Sequence, residues 1–476
     1  MTISSFINNK NNEAMMSNSH YETSRKERFS YYTFFTGQNI IFMFVTIFIS
    51  VYYTSVLGLS AGTVGIIFLL ARVWDAVNDP ILSIIVERSR LKGGKFKPWV
   101  NAIAWAVPLA TILIFAFGDY LAEQPMWIRV TYAFATYVGW GMLYTVSDAP
   151  AYAIGSVMTQ NKDERNVIYS FVRFGGFVGM VIAMVSAPWL VEKLEGKWTL
   201  AALIMCIVAM FLMLTIRTVK ERHVVEQEVP TLKQILGTVT GNKYLLMFIL
   251  AFVFIGGSNF AFTLMPYIAR DVFNDPSLSG LLLFAMIGPA MLASPLVPIG
   301  IRKVGKIGTF AWASAALAVL SVITWGLGHQ HLEVFVALTM IKAIALGVTL
   351  IMPSIFIADC IEYGYIRSGK RLEAVTFATQ TFANKATTAV GGAIAMGYLA
   401  LVGFVESTGG AVVKQTPQVI QGMWDALNLG NAIGATIGLV IFLYSYKLTD
   451  QVLADLKPDD LPENKNTTLN ETIVAK

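Results

Sequence analysis

The chain has 476 residues, 55% hydrophobic and only 14% charged, with a net charge of +5. Its mean hydropathy is +0.60. This composition excludes a soluble enzyme and needs no nucleic-acid partner; it predicts an all-α polytopic membrane protein whose basic residues are placed by topology.

Residues 1–29 are polar and rich in Asn and Ser. They lack a basic stretch followed by an apolar core and a small-residue cleavage site, so they read as a cytoplasmic tail rather than a removable signal. Apolar runs long enough to span a bilayer follow at 31–55, 61–87, 98–118, 128–158, 166–190, 198–218, 244–269, 277–299, 308–328, 333–358, 374–404 and 421–446. They predict about twelve transmembrane helices. Basic residues gather in alternate loops, at Arg88, Lys92, Lys95 and Lys97, at Lys162 and Arg165, at Arg217, Lys220 and Arg222, at Arg302, Lys303 and Lys306, and at Arg367, Lys370 and Arg371. That bias predicts a multi-pass plasma-membrane protein with both termini in the cytoplasm.

The longest inward loop divides the chain into a six-helix bundle at 30–218, a cytoplasmic loop at 219–243, a second six-helix bundle at 244–446 and a tail at 447–476. Ile85-Val-Glu-Arg88 with Gly94-Lys95 after the second run is echoed by Ile299-Gly-Ile-Arg302 with Gly305-Lys306 after the eighth. Pro150 followed by Asp163-Glu164-Arg165 is echoed by Pro353 followed by Arg371-Leu372-Glu373. Two weakly similar six-helix halves resemble the major facilitator fold, whose site lies at the midplane between them.

The polar residues inside the apolar runs carry the chemistry. Arg72, Asp75, Asn78 and Asp79 stand in the second run, where a carboxylate costs roughly 2.5 to 3.5 kcal/mol at the centre of a spanning helix. Asp75 and Asp79 are four apart and share a helical face with Asn78 beside them, a cluster of oxygens suited to a small cation or a proton. The alternative is a structural pairing of the acids with Arg72. In the fourth run Tyr144, Thr145, Asp148 and Tyr152 recur at three- and four-residue spacing, a stripe suited to sugar hydroxyls and to stacking on a pyranose face. Arg173 in the fifth run either pairs with Asp148 or binds substrate oxygens as a fork. Gln380, Thr381 and Lys385 form a polar face on the eleventh run, and Lys385 compensates the acids of the first half.

At 1.5 Å of rise per residue, Asp75 lies roughly 18 Å from the cytoplasmic helix end, Asp79 about 12 Å, Asp148 about 15 Å, Arg173 about 10 Å, Lys385 about 16 Å and Gln38-Asn39 about 13 Å. Five helices thus place polar groups in one slab. Lys342 and Asp425 lie nearer outer helix ends and read as snorkelling residues. Gly175 and Gly179, and Gly430, Gly434 and Gly438, have the spacing of close helix contacts. Cys206 and Cys360 fall in different runs, which argues against a disulfide framework or metal cage, and all four histidines lie in loops or tails. No nucleophile-base pair or metal-ligand set is present in the spans, so neither an enzyme nor a cofactor is expected, and no metal beyond a possible Na+.

The segments Ala71-Arg-Val-Trp-Asp-Ala-Val-Asn-Asp-Pro80, Gly94-Lys-Phe-Lys-Pro-Trp99, Tyr144-Thr-Val-Ser-Asp148-Ala-Pro150 and Asp359-Cys-Ile-Glu-Tyr-Gly364 with Arg371-Leu-Glu373 resemble the glycoside-pentoside-hexuronide:cation symporters, the family of the melibiose carrier. The resemblance, from about Lys26 to Leu448, implies import of a sugar or glycoside with Na+ or H+ by alternating access. It implies that Asp75 and Asp79 bind the cation with Asn78 and Thr145 nearby, that Asp148 and Arg173 contact sugar, and that Lys385 sits between the two sites; the cation site is thus expected at Asp75, Asp79, Asn78 and Thr145, and Arg72, beside Asp75 in sequence, is expected to join Lys385 in coupling. Tyr152 stands where the melibiose carrier has a stacking tryptophan, and Gln38-Asn39 where it has a lysine-aspartate pair. Substrate contacts are therefore expected from Asp148, Arg173, Tyr152, Gln38, Asn39, Gln380 and Thr381, with a pentoside or hexuronide favoured over an α-galactoside. A sugar-binding receptor or scaffold without transport is the competing reading. The protein is expected to be a monomer in the bilayer.

Overall fold

The computed structural model describes residues 21–89, 91–223, 237, 240–258, 260–329, 331–368, 383, 387, 390–406 and 413–455. Among them there is no strand, and each of the twelve apolar runs contains helix. Among the described residues, eight helices are long and apolar enough to cross a membrane. The chain forms two compact units, one within residues 1–49 and 77–229, the other within 50–76 and 230–476.

The first unit contains most of α1 (Arg25–Ser55), the second part of α2 (Ala61–Arg88), α3 (Lys97–Ile114), α4 (Met126–Met158), α5 (Lys162–Lys193) and α6 (Trp198–Leu214). Helix α1 starts on a reciprocal cap: Ser24 Oγ accepts from the Glu27 N–H at 3.2 Å, and Glu27 Oε2 accepts from the Ser24 N–H at 2.9 Å. The start of α3 is capped across the chain, because the Glu221 carboxylate accepts from the N–H groups of Lys95, Phe96 and Lys97. Helix α5 crosses α1 at its glycines: a Cβ on Gly179 would lie 2.1 Å from the Thr36 carbonyl oxygen, and one on Gly175 2.7 Å from that of Tyr32. These are the close contacts that small-residue spacing predicts.

The second unit holds α7 (Lys243–Gly257), α8 (Ala261–Tyr267), α9 (Leu278–Ile287), α10 (Ala293–Leu327), α11 (Leu332–Ser368), α12 (Val390–Leu401), α13 (Pro417–Asp425) and α14 (Asn431–Ser445). The Asn242 side chain caps α7 by accepting from the Leu245 N–H, and its Nδ2 donates to the Cys360 carbonyl at 2.8 Å. Gly305 breaks α10 with φ 75° and ψ 172°, inside the basic turn between the eighth and ninth runs. Gly434 and Gly438 of α14 meet α7, where an added Cβ would fall 2.0 Å from Ser258 Oγ and 2.6 Å from the Ala251 carbonyl. Helix α11 continues ten residues past its apolar run, and Lys306 Nζ bonds both oxygens of Asp359 in that extension at 2.8 and 3.0 Å.

The structure corrects one expectation here. Lys342 does not snorkel: its side chain is buried in the interior of the second unit. Asp425 is tied down as well, accepting from Trp325 Nε1 at 2.7 Å and Gln421 Nε2 at 2.8 Å.

Candidate functional site

The first unit brings together most of the residues singled out in the spans. Thr145 and Asp148 stand three apart on α4, and Thr145 faces Asp79 of α2. Thr145 Oγ1 donates to Asp79 Oδ1 at 2.7 Å, while the Gly141 carbonyl, its other possible acceptor, lies at 3.1 Å. The shorter contact is the better acceptor for the single hydroxyl hydrogen. Asn78, next to Asp79, is buried with its amide Nδ2 lacking any hydrogen-bond partner. A buried polar group in that state is capacity for a ligand or water. In the part of α2 that belongs to the second unit, Asp75 Oδ2 accepts from Arg72 Nη1 at 2.9 Å, so the pairing of Arg72 with an acid is present.

Farther along α4, Tyr152 is 41% exposed and packs its ring on Phe35 of α1 at 4.7 Å between centroids. The charges of Asp148 and Arg173 both act on its hydroxyl, which gathers acid, guanidinium and ring in one neighbourhood. Arg173 is exposed on α5 and Asp148 is partly buried. This is a donor fork, an acceptor and an aromatic face, the three elements that a sugar needs. Tyr144, by contrast, is packing: its ring stacks between Phe42 at 5.0 Å and Trp140 at 5.2 Å.

The α1 amides are engaged within the unit. Gln38 is fully buried, and its Nε2 donates to Ser147 Oγ at 2.9 Å and to the Ser147 carbonyl at 3.2 Å. Asn39 Nδ2 donates to the Phe35 carbonyl at 2.9 Å, with Gly176 of α5 close against its side chain. Ser147 and Phe35 were not singled out by the sequence; the adjacency of Ser147 to Asp148 was the available signal. Gln380, Thr381 and Lys385 lie outside the described residues.

A second polar cluster joins the chain ends of this unit. Glu164 is buried at the start of α5 and accepts from the Glu22 and Thr23 N–H groups, the Thr23 hydroxyl and Arg28 Nη1. Burial alone would raise its carboxyl, but the Thr23 and backbone hydrogen bonds outweigh that and hold it below the ordinary 4.5. Glu22 is likewise held low, first by its hydrogen bond with His223 at 2.5 Å. Arg222 donates to both oxygens of Glu27 at 2.9 Å.

Polar groups buried at mid-helix in a many-helix apolar fold mark a functional site within the spans. The family described as MFS/sugar transport protein matches residues 34–450, and the chain belongs to it. It is similar to an isoprimeverose transporter of Lactiplantibacillus pentosus, 25% identical over 92% of this chain and 92% of that protein. It is also similar to a glucuronide carrier protein homolog of Escherichia coli strain K12, 26% identical over 88% of this chain and 92% of the relative. The solved nucleoside transporter NupG shares the fold, with a TM-score of 0.63 at 14% identity over 87% of this chain and 99% of that one. Family membership supports transport over the reading as a receptor without it.

Proposed function

We propose that the chain is a cation-coupled sugar symporter in which Asp79 and Thr145 anchor the cation site and Asp148, Arg173 and Tyr152 bind the sugar. The observation that carries this is the 2.7 Å bond from Thr145 to Asp79, one turn along α4 from Asp148. A carboxylate oriented by a hydroxyl, with Asn78 beside it and Asp75 a turn earlier, offers the hard oxygens that Na+ coordinates or a proton occupies. Arg72, already on Asp75, sets how much charge the pair presents, and Lys385 is its basic counterpart in the second half. Asp148 accepts from vicinal sugar hydroxyls, Arg173 donates to ring or carboxylate oxygens, and the exposed Tyr152 ring stacks on the apolar sugar face. Cation and sugar sites share α4, which gives a direct physical route for occupancy of one to raise affinity for the other, and that is all that coupling requires.

Gln38 and Asn39 bear on which sugar is taken. An amide in place of a carboxylate removes a negative charge that would repel a uronate in a low-dielectric cavity. The names of the glucuronide and isoprimeverose relatives support the same choice, a hexuronide or pentoside over an α-galactoside. For Gln380, Thr381 and Lys385 the assignment rests on the sequence alone. The bundles at 30–218 and 244–446 are the units of alternating access, with both termini cytoplasmic, in a monomer of the plasma membrane. Uptake of labelled glycosides, pentosides and uronates into proteoliposomes under imposed Na+ or H+ gradients tests the reading; accumulation of none of them under either gradient refutes it.

A further inference from the structure

Tyr31 of α1 is fully buried, and its hydroxyl sits astride one rung of α4. It donates to the Ala151 carbonyl at 2.7 Å and accepts from the Gly155 N–H at 3.0 Å, the two groups that an α-helix joins to each other. Tyr169 of α5 reaches the same turn, where its hydroxyl donates to the Tyr152 carbonyl at 3.1 Å. Gly155 leaves room for both rings: a Cβ there would lie 2.8 Å from the Tyr31 oxygen and 2.9 Å from a ring carbon of Tyr169.

A proline, or a side chain reaching into the ladder, is what bends a helix, and α4 has both. Pro150 has no N–H to give the Val146 carbonyl, and Tyr31 shares the rung that begins at the next residue. Gln38 adds a third hold, on the carbonyl and hydroxyl of Ser147. Tyr31, Phe35 and Gln38 recur at i, i+4 and i+7, so one face of α1 makes all its contacts with this stretch. Phe35 belongs to the set because its ring lies 5.2 Å from that of Tyr31 and 4.7 Å from that of Tyr152 between centroids. Asp148 and Tyr152 both project from the stretch that α1 and α5 hold, whereas Thr145 and its bond to Asp79 lie before Pro150. A shift of one rung within it would move the acceptor against the ring, and a binding site tolerates only about 0.5 Å of such error.

We infer that Tyr31 and Tyr169 are positioning residues of the sugar site: their hydroxyls fix the α4 backbone from Ala151 to Gly155, and with it the placement of the Tyr152 ring relative to Asp148. They act through the backbone of α4 rather than by contact with the sugar, and the inference rests on the reading of Asp148 and Tyr152 as sugar ligands.

The test uses the full chain in nanodiscs, with methyl glucuronide and methyl xyloside as probes in isothermal titration calorimetry, and with melting temperatures at graded Na+ and pH without sugar. Tyr31→Phe and Tyr169→Phe each delete one hydroxyl and keep the ring. Each should raise the sugar dissociation constant about three- to tenfold, the scale of one neutral hydrogen bond. The sugar-free response of the melting temperature to Na+ and pH should stay native, because the Thr145–Asp79 bond is untouched; a general loosening of the bundle would shift both. Tyr32→Phe is the control, since that ring stacks on Phe171 at 5.0 Å, and it should bind sugar as the native protein does. Native affinity in Asp148→Ala, or binding of neither probe by the native protein, removes the reading of the site and this inference with it. Weak binding by Asp148→Ala together with native affinity in folded Tyr31→Phe and Tyr169→Phe overturns the positioning role alone, as does an equal loss in Tyr32→Phe. Should Tyr31→Phe fail to fold, Tyr169→Phe decides.

Discussion

Thr145→Val is the most selective perturbation of the cation site, because it keeps the side-chain shape and deletes one hydroxyl. In the structure that hydroxyl donates to Asp79 Oδ1 at 2.7 Å. A hydrogen bond to a charged group contributes about 1.5 to 3 kcal/mol. At 1.4 kcal/mol per tenfold, its loss corresponds to roughly a 10- to 150-fold change in the affinity that depends on Asp79. In a sodium-coupled carrier the same hydroxyl oxygen turns to the ion as a ligand, so its deletion should raise the half-saturating Na+ concentration for sugar uptake on that scale, with the sugar's own saturation little changed at excess cation. In a proton-coupled carrier, Na+ should have no effect and the pH profile of uptake should be displaced instead. The assay is initial-rate uptake in proteoliposomes at graded Na+ and pH, with thermal unfolding as a control for folding. A folded Thr145→Val protein with the native dependence on both ions would refute the reasoning.

Asp148→Ala should weaken sugar binding by about a hundredfold or more, since truncation strands a polar site without its charged partner; isothermal titration showing near-native affinity would reject the role. Gly179→Ala should sharply lower the yield of monodisperse protein in size-exclusion chromatography, because its Cβ would press on the Thr36 carbonyl at 2.1 Å, whereas Gly139→Ala, with nothing within 4 Å, should not. Glu164 is held low in the fold, so its contribution to stability is complete above the ordinary carboxylate value of 4.5 and is lost as pH falls through its depressed folded value. Unfolding curves of Glu164→Gln and the native protein should therefore differ at neutral pH and converge in acid.

The helical runs were legible because a bilayer demands long apolar stretches, and among the described residues each of the twelve runs contains helix, with breaks such as 115–117 and 402–404. Polar extensions were not: α11 runs ten residues beyond its apolar part, held by Lys306 on Asp359, a contact between residues 53 apart that hydropathy cannot register. Close glycine contacts were legible because small-residue spacing on a helix has one common use, and Gly179 and Gly434 both press on a neighbouring helix. That Thr145 stands near the acids of α2 was implied by the family resemblance, though its bond to Asp79 in particular was not. Gln38 bonding Ser147 did not, because which way a buried amide turns depends on its neighbour across the helix contact. Lys342 was misread for a related reason. Depth along a helix can be counted from sequence, but the direction in which a residue points cannot, and Lys342 points inward.

Concentrative uptake by Asp79→Asn is the most direct test of the central claim. Native protein in proteoliposomes should accumulate its sugar above the external concentration when a Na+ or H+ gradient is imposed, and should exchange sugar across the membrane without one. Asp79→Asn should retain exchange and sugar binding yet fail to accumulate under either gradient, because the amide keeps the shape but cannot carry the charge that a cation compensates. Uphill accumulation by Asp79→Asn at the native level would contradict the account.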